Sequence, residues 1–251
     1  MLKKHSSHSV RSLKLCCECF LIEENMKLLR YFTKSEWFIW LFSFAAILSV
    51  YLLFGGEWLS CGASFLGVTS ILLNAKGNPL GQLLMVIFGI AYGVISFGFG
   101  YYGEVLTYLG MTAPMAVLAL VAWLRHPYKG NRSEVAVNRV KKGEMVFAFL
   151  LSAAVAVLFY FPLKSFHTAN LIPSTLSVFT SFLAVYLTFR RSEWFSLAYA
   201  ANDVVLIVLW SLASAKDLSY LSVTVCFCMF FISDCYGFIS WRKMRRRQGS
   251  A

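Results

Sequence analysis

Two adjacent polar residues, Asn202 and Asp203, lie in the middle of an apolar stretch that covers residues 194–212. A carboxylate at the centre of a bilayer costs about 2.5–3.5 kcal/mol on insertion scales, so such a residue usually faces a bundle interior or a solute path. Tyr199 and Leu206 recur with this pair at helical spacing and would share its face of a helix. The pattern therefore predicts a polar site inside a membrane protein.

Other polar and aromatic residues in the apolar stretches could face the same interior. Asp234 shares a helical face with several phenylalanines, and Phe88 and Tyr92 are one turn apart. Trp194 and Glu104 lie at the edges of their apolar stretches. The alternative to solute binding is an interfacial anchor for Trp194 and a solvated position for Glu104. For the whole set, a role in helix packing is the alternative to solute binding, because polar residues in spans often only bridge helices. The candidate solute-binding residues are Asn202, Asp203, Tyr199, Trp194, Phe88, Tyr92, Asp234 and Glu104.

These residue types suit a flat organic solute. A heteroaromatic ring would stack on aromatic faces, with a further gain if the ring is cationic, and the amide and carboxylates could bind hydroxyls or a carboxamide. Phosphate is disfavoured, since the interior of the spans carries no Lys or Arg. All four histidines fall outside the spans, and no P-loop, zinc-protease or nucleophile motif occurs. We expect no enzyme activity, no cofactor and no bound metal ion.

The elements that must position these residues are long apolar segments. The chain of 251 residues is 59% hydrophobic and 14% charged, whereas a soluble domain carries about 25% charged residues. Each segment is close to the roughly 20 residues that cross a bilayer as a helix. The eight segments lie near 36–54, 58–75, 80–98, 105–124, 145–163, 170–189, 194–212 and 219–240.

The net charge of +11 is distributed in a way that indicates membrane topology. If the N-terminus is cytoplasmic, 21 of the 23 Lys and Arg residues fall on the cytoplasmic side, and only Lys164 and Lys216 fall outside. This distribution follows the positive-inside rule and predicts a multi-pass protein of the inner membrane with both termini in the cytoplasm. A nucleic-acid-binding surface is disfavoured, because the charges are spread over several short loops.

The sequence predicts a tail, a transmembrane domain and a basic C-terminal end. Residues 1–34 form the tail, and the part before Met26 is expected to be disordered or an artefact of an upstream start. The transmembrane domain is expected over residues 35–243, followed by a basic tail at 244–251.

Two similar halves are predicted within the transmembrane domain. The tetrapeptides that begin at Thr69 and Thr180, 111 residues apart, both start with Thr-Ser, and both spans end in basic turns. A basic loop at 125–143 separates the halves, and Pro114 is expected to kink the fourth span. This arrangement predicts a parallel repeat of three helices, with the first span outside it. The boundaries are about 57–124 for repeat A, 144–163 for a linker helix and 170–241 for repeat B.

From about residue 36 to 243 the chain resembles the PnuC family of vitamin transporters. The motifs that carry the resemblance are Ala75-Lys76-Gly77, Tyr102-Gly103-Glu104-Val105, Pro114-Met115, Trp123, Thr180-Ser181, Arg190-Arg191-Ser192-Glu193-Trp194 and Asn202. The resemblance implies an all-α three-plus-one-plus-three fold like that of the SWEET transporters, and a homotrimer. It also implies facilitated diffusion of nicotinamide riboside for NAD biosynthesis, with a cytoplasmic riboside kinase trapping the vitamin.

One departure from the family pattern concerns its aromatic residues. Relatives typically carry two Trp residues, three apart, shortly after the Glu that corresponds to Glu193. Here Phe195 and Ala198 stand at those positions, and Trp194 is displaced by one. Thiamine and riboflavin, which other family members carry, are therefore the alternative solutes. A membrane scaffold or receptor that does not transport is the alternative of a different class, and a channel is less favoured.

Overall fold

A computed structural model of the chain describes residues 31–54, 58–98, 102–168, 170–216 and 218–249. Within these ranges eight helices are long and apolar enough to cross a membrane, the number expected from the apolar segments. The expectation for residues 1–25 lies outside the described residues.

The helices follow the apolar segments closely. The fourth span is irregular, with a π-helical turn at Tyr108–Thr112 between two α-helices. The turn directly precedes Ala113 and Pro114, and Pro114 has no backbone N–H to offer it. In chain order the elements are α1 (Lys34–Phe54), α2 (Trp58–Ala75), α3 (Pro79–Gly98), α4 (Tyr102–Thr107), α5 (Ala113–Arg125), β1 (Pro127–Tyr128), β2 (Asn131–Val135), α6 (Lys142–Ser165), α7 (Leu171–Phe189), α8 (Phe195–Ser214) and α9 (Leu221–Gly249).

The chain divides into two compact units, Met1–Ile39 and Trp40–Ala251. In the described part of the first unit, the N–H of Thr33 donates to Oε2 of Glu36 at 2.7 Å, and the N–H of Glu36 donates to Oγ1 of Thr33 at 3.3 Å. This reciprocal pair is a capping box, which satisfies backbone donors that a helix start leaves open. It explains why α1 begins directly after Thr33.

The second unit contains two bundles of three spans. One is formed by α2, α3 and α4–α5, and the other by α7, α8 and α9. Between the bundles, α9 packs on α2 and α5 packs on α7. The linker helix α6 packs on α7, and its other side exposes a row of apolar side chains that includes Leu150, Leu158 and Phe161. Such a face suits the hydrocarbon of a membrane.

The turns that follow α2 and α7 are built alike. In each turn the second residue after the helix has a positive φ, 68° at Gly77 and 56° at Arg191. Its N–H donates to the penultimate residue of the helix, Asn74 or Thr188, at 2.9 Å, and the next N–H donates one residue further back at 3.0 Å. Both turns are therefore Schellman motifs.

The spacing of these turns corrects the predicted register of the repeat. Gly77 and Arg191 are 114 residues apart, whereas the matching tetrapeptides at Thr69 and Thr180 are 111 apart. The tetrapeptides thus lie at different distances from the ends of their helices and do not occupy equivalent positions. The caps at the helix ends determine which residues of the two repeats correspond. Thr and Ser are common throughout a span, so a shared Thr-Ser does not identify equivalent positions.

Two tryptophans tie each bundle to the other. The indole of Trp123 on α5 donates to the backbone oxygen of Thr188 at 2.9 Å, and the indole of Trp241 on α9 donates to that of Asn74 at 2.7 Å. Both side chains are completely buried, and their ring centroids are 5.4 Å apart. The two acceptors are the equivalent residues of the two Schellman turns, so the ties are reciprocal.

The segment expected to be a basic loop at 125–143 contains an antiparallel hairpin of β1 and β2. Its two turn residues, Lys129 and Gly130, both have positive φ, 48° and 80°, as a two-residue hairpin turn requires. After the hairpin, residues 135–138 form a strap between the bundles. The N–H of Val135 donates to the oxygen of Gly77, and the N–H of Asn138 donates to that of Arg191, both at 2.9 Å.

The basic C-terminal segment predicted as a tail continues α9 as a helix to Gly249. Two hydrogen bonds of Gln248 hold this end of the helix in place. Oε1 of Gln248 accepts from the N–H of Val137 at 2.7 Å, and Nε2 of Gln248 donates to the backbone oxygen of Val135 at 3.0 Å. Arg247 pairs with Glu134 of the hairpin at 2.5 Å. The end of α9 is thereby bound to the strap.

Candidate solute-binding site

A cavity lies between the two bundles and is lined by all six of their spans. The space that a water-sized sphere can enter is about 50 Å³, and the wider region between the lining side chains, which includes open solvent, is about 580 Å³. Five of the eight predicted residues line it: Phe88, Tyr199, Asn202, Asp203 and Asp234. The other lining residues are Ile71, Asn74, Met85, Tyr108, Thr112, Ser181, Val185, Phe195, Leu206, Phe227 and Phe230.

One side of the cavity is aromatic. The ring of Phe88 on α3 lies 6.0 Å from that of Tyr108 and 5.9 Å from that of Phe230, both edge-on. Phe227 follows at 5.6 Å from Phe230. These distances are those of favourable aromatic pairs, so the rings form a continuous apolar surface on which a planar solute could stack.

The polar part of the lining is built mainly by the second bundle. The hydroxyls of Thr180 and Ser181 on α7 donate to Oδ1 of Asn202 on α8 at 2.8 and 2.9 Å. These bonds fix the orientation of the amide, and its NH₂ group is left as the donor for a solute. The family motif Thr180-Ser181 therefore positions Asn202.

Two carboxyl groups stand next to this amide. Asp203 on α8 and Asp234 on α9 are 3% and 4% exposed, and both line the cavity. Oδ2 of Asp203 has no hydrogen-bond partner among the described residues. Asp203 is the ninth of the 20 residues of α8, so the pair lies near the middle of the span.

The aromatic residue that enters the cavity from the start of α8 is Phe195. It is 1% exposed, and its ring lies 4.8 Å from that of Trp241 and 6.3 Å from that of Trp123. Trp194, the candidate from the sequence, is 39% exposed, packs against Phe238 at 5.5 Å and does not line the cavity. The helix begins at Phe195 and Trp194 is its cap, which turns the two neighbouring side chains in different directions.

Tyr92 and Glu104 also lie outside this cavity. Tyr92 is one turn beyond Phe88 and lines a second, smaller cavity of about 20 Å³ by the same measure, which Tyr51 and Cys61 line as well. Glu104, in the first turn of α4, lines neither cavity, and its nearest link to the site is an electrostatic interaction with Tyr108.

Three rings separate the two cavities. Phe88, Phe227 and Phe230 line both of them and form an aromatic layer between them. Phe230 lies on the bare backbone of Gly67 on α2, where an added Cβ would stand only 2.4 Å from Cζ of its ring. The glycine therefore leaves the space that the ring occupies.

Some lining residues were not singled out by the sequence. Asn74 accepts a hydrogen bond from Nε2 of Gln82 through its Oδ1 at 2.8 Å and directly precedes the family motif Ala75-Lys76-Gly77. Tyr108 and Thr112 belong to the π-helical turn, whose signal in the sequence is the nearby Pro114. Such turns often mark functional sites in helices.

Comparisons with known proteins identify the family. The model of the family described as "Nicotinamide mononucleotide transporter" matches residues 57–243. A nicotinamide riboside transporter PnuC from Neisseria mucosa is 27% identical over 218 residues, which cover 83% of this chain and 81% of the relative. One from Haemophilus influenzae is 22% identical over 195 residues, 76% of this chain and 82% of the relative.

A solved structure supports the fold. The crystal structure of the vitamin B3 transporter PnuC matches with a TM-score of 0.75 at 20% identity, over 86% of this chain and 94% of that one. The predicted all-α, multi-pass membrane fold is thereby confirmed. By its match to the family model over most of its length, the chain belongs to the nicotinamide mononucleotide transporter family, the PnuC family that its motifs resemble.

Proposed function

We propose that this protein carries nicotinamide riboside across a membrane. The composition of the cavity supports this solute most directly. An aromatic side suits the pyridinium ring, a polar side suits the carboxamide and ribose hydroxyls, and the two carboxyl groups suit the positive charge. The two similar bacterial proteins are described as transporters of the same riboside.

The cavity favours the riboside over the mononucleotide that appears in the description of the family. A mononucleotide carries a phosphate, which needs a cationic or N–H-rich partner when it leaves water. Among the described residues that line the cavity, no Lys, Arg or His occurs, and two acidic groups would repel the phosphate. We therefore propose that phosphorylation follows transport.

In the proposed pose the ring stacks between the aromatic side and Tyr199 or Phe195. Asn202 donates to the solute, and Asp203 and Asp234 accept from it. Tyr92 belongs to the second cavity and would act on the path of the solute rather than at its resting position. Trp194 and Glu104 receive no contact with the bound solute in this pose, since neither lines the cavity.

Transport is proposed to be facilitated diffusion at the inner membrane, without a catalytic step. A cytoplasmic riboside kinase would trap the solute, and a homotrimer is the expected assembly. The end of the molecule with the Schellman turns, the hairpin and the end of α9 would face the cytoplasm, as would both termini. The supporting observation is that this end carries Lys76, Arg190, Arg191 and the basic residues of 242–247.

Uptake of radiolabelled nicotinamide riboside into proteoliposomes tests the proposal. We expect flux above that of empty vesicles, inhibition by unlabelled riboside and little inhibition by the mononucleotide. Flux of thiamine or riboflavin in place of the riboside would contradict the solute assignment. A protein that shows no flux and no vitamin-dependent shift in melting temperature in detergent would be a scaffold rather than a transporter.

A further inference from the structure

The segment that joins α5 to α6 carries more positive charge than its own acidic residues balance. Residues 125–142 contain six Lys and Arg residues and one acid, Glu134. That acid pairs with Arg247 of α9 at 2.5 Å. The next acid along the chain, Glu144, pairs with Arg190. Both acids are therefore occupied by cations from other parts of the chain, and the positive charge of the segment is left over.

Five of the six cations are exposed, and none of the five pairs with an acid among the described residues. The sixth, Arg139, is directed towards the end of α9, where one of its guanidinium nitrogens lies 2.6 Å from the position that a Cβ on Gly249 would take. We call the exposed five the basic surface: Arg125, Lys129, Arg132, Lys141 and Lys142.

The basic surface lies at the boundary of the membrane. Arg125 is the last residue of α5 and Lys142 is the first of α6, so both adjoin apolar spans. Lys129 is four residues from Arg125, and four residues of extended chain cover at most about 14 Å. The headgroup layer is about 5–8 Å thick on each side of the hydrocarbon, and the potential of a charged surface extends about 8–10 Å further in physiological salt. The tip of the hairpin therefore stays within reach of the charge on the lipid.

The hairpin presents two of these cations on an ordered backbone. The N–H of Ala136 donates to the oxygen of His126 at 2.9 Å, and Tyr128 is paired with Asn131 across the turn. Nζ of Lys129 lies 5.6 Å from the ring centroid of Tyr128, and both residue types are enriched where a protein leaves the membrane. Because the backbone is already ordered, binding of a partner costs less conformational entropy than it would on a flexible loop.

We propose that the basic surface binds the headgroups of anionic phospholipids. Lys and Arg donate charge-assisted hydrogen bonds to phosphate oxygens, and clusters of about four to eight such residues next to a span are typical of sites for anionic lipids. A zwitterionic headgroup offers the same phosphate without the net charge, so it should bind less tightly. In the proposed topology these lipids belong to the cytoplasmic leaflet. The inference goes beyond the proposed function and does not depend on which solute is carried.

Native mass spectrometry of the purified, delipidated full-length protein tests the proposal. The protein is titrated with phosphatidylglycerol or with phosphatidylcholine of the same acyl chains, and the bound fraction gives an apparent Kd for each lipid. We expect phosphatidylglycerol to bind more tightly. A higher salt concentration should weaken its binding, because salt screens exposed charges.

Two double variants remove charge from different parts of the basic surface. Lys129→Gln with Arg132→Gln neutralises the tip of the hairpin. Lys141→Gln with Lys142→Gln neutralises the start of α6, where the side chain of Lys141 makes no capping hydrogen bond. Each cation near an anionic surface contributes about fivefold in affinity, so each double variant should bind phosphatidylglycerol roughly 25-fold more weakly.

The control removes two cations from elsewhere in the chain. Lys164 is exposed at the other end of α6, and its Nζ lies 6.0 Å from the ring centroid of Tyr160, much as Lys129 lies near Tyr128. Lys164→Gln with Lys216→Gln should therefore keep the affinity of the unaltered protein for phosphatidylglycerol. Melting curves in lipid-free detergent verify that each variant is folded.

Three results would overturn the proposal. Phosphatidylcholine could bind as tightly as phosphatidylglycerol, or the two double variants could keep the affinity of the unaltered protein. The third is displacement of phosphatidylglycerol by inorganic phosphate or by a short single-stranded oligonucleotide at equal concentration, which would indicate a site for soluble anions or nucleic acid instead. Each of these results would leave the proposed transport of the riboside intact, because uptake into proteoliposomes is measured separately.

Discussion

The two three-helix bundles share a framework and differ in what they bring to the cavity. Both end their first helix in a Schellman turn, and both use a buried Trp on the third helix to reach the turn of the other bundle. Both bundles supply rings to the cavity, but among the described lining residues the two carboxyl groups, Asp203 and Asp234, come from the second bundle alone.

This difference is possible because the residues that join the bundles are not the residues that line the cavity. Backbone caps and tryptophan ties determine how the bundles meet, and they do not depend on which solute lies between them. Residues half-way along the helices, such as Phe88 and Asp203, contact the cavity, and they can differ between bundles without altering the framework. A similar pair of bundles can therefore bind a solute that has a flat apolar face on one side and polar groups on the other.

The largest effect on solute affinity should come from removing the amide of the polar side. Asn202→Leu would leave the solute's polar groups without their partner, which costs about 1–3 kcal/mol, or roughly 5- to 150-fold in affinity. The helix should remain folded, because the hydroxyl of Thr180 also has the backbone oxygens of Leu176 and Ser177 as acceptors. Calorimetric Kd values for the riboside measure the loss.

The matched change on the aromatic side is Phe88→Leu, which keeps an apolar side chain and removes the ring. We expect a smaller loss, since an aromatic pair contributes about 0.5–1.5 kcal/mol beyond its area, or roughly 2- to 12-fold. A greater loss from Phe88→Leu than from Asn202→Leu would contradict the larger role assigned to the polar part of the lining.

A second experiment tests whether the framework is as symmetric as its hydrogen bonds indicate. Trp123→Phe and Trp241→Phe each remove one indole donor and leave a small void, while the acceptor carbonyl keeps its hydrogen bond from the N–H of the Schellman turn, so the cost should be about 1–3 kcal/mol. We expect the two variants to lower the melting temperature by similar amounts. Trp58→Phe, at a largely exposed position, is the control and should have little effect. A clear difference between Trp123 and Trp241 would show that the ties are not equivalent.

The smallest expected effect on stability concerns the two turns. Arg191 adopts the left-handed conformation that Gly77 adopts in the first bundle, and this conformation costs a residue with a Cβ about 1–2 kcal/mol. Arg191→Gly should therefore raise the melting temperature slightly. Gly77→Ala should lower it, because the new Cβ would also lie 3.1 Å from Cε of Met244. Unchanged stability in both variants would mean that the surroundings, rather than the conformation, dominate.

The spans and much of the site follow from the sequence, because they depend on local patterns. Length and hydropathy determine the eight helices, and the helical spacing of Tyr199, Asn202 and Asp203 places them on one face that reaches the cavity. Among the described residues, Lys76, Arg190, Arg191 and the basic residues of 242–247 lie at the end of the bundles that carries the Schellman turns and the strap.

The remaining features depend on where helices begin and end and on which helices meet. Whether Trp194 or Phe195 enters the cavity depends on the rotation of α8 about its axis, because neighbouring residues of a helix point about 100° apart. Asn74 and Tyr108 line the cavity because distant spans come together, which no local pattern reports. The 114-residue register is set by caps, which contribute little to hydropathy.

The strap limits the distance between the two bundles at the end with the Schellman turns. Its two donors, the nitrogens of Val135 and Asn138, are three residues apart, and three residues of extended chain span at most about 10–11 Å. As long as both hydrogen bonds hold, Gly77 and Arg191 can separate no further than this tether allows. Any movement that parts the bundles more widely at this end must first detach one end of the strap, whereas a movement at the opposite end leaves the tether at its present length.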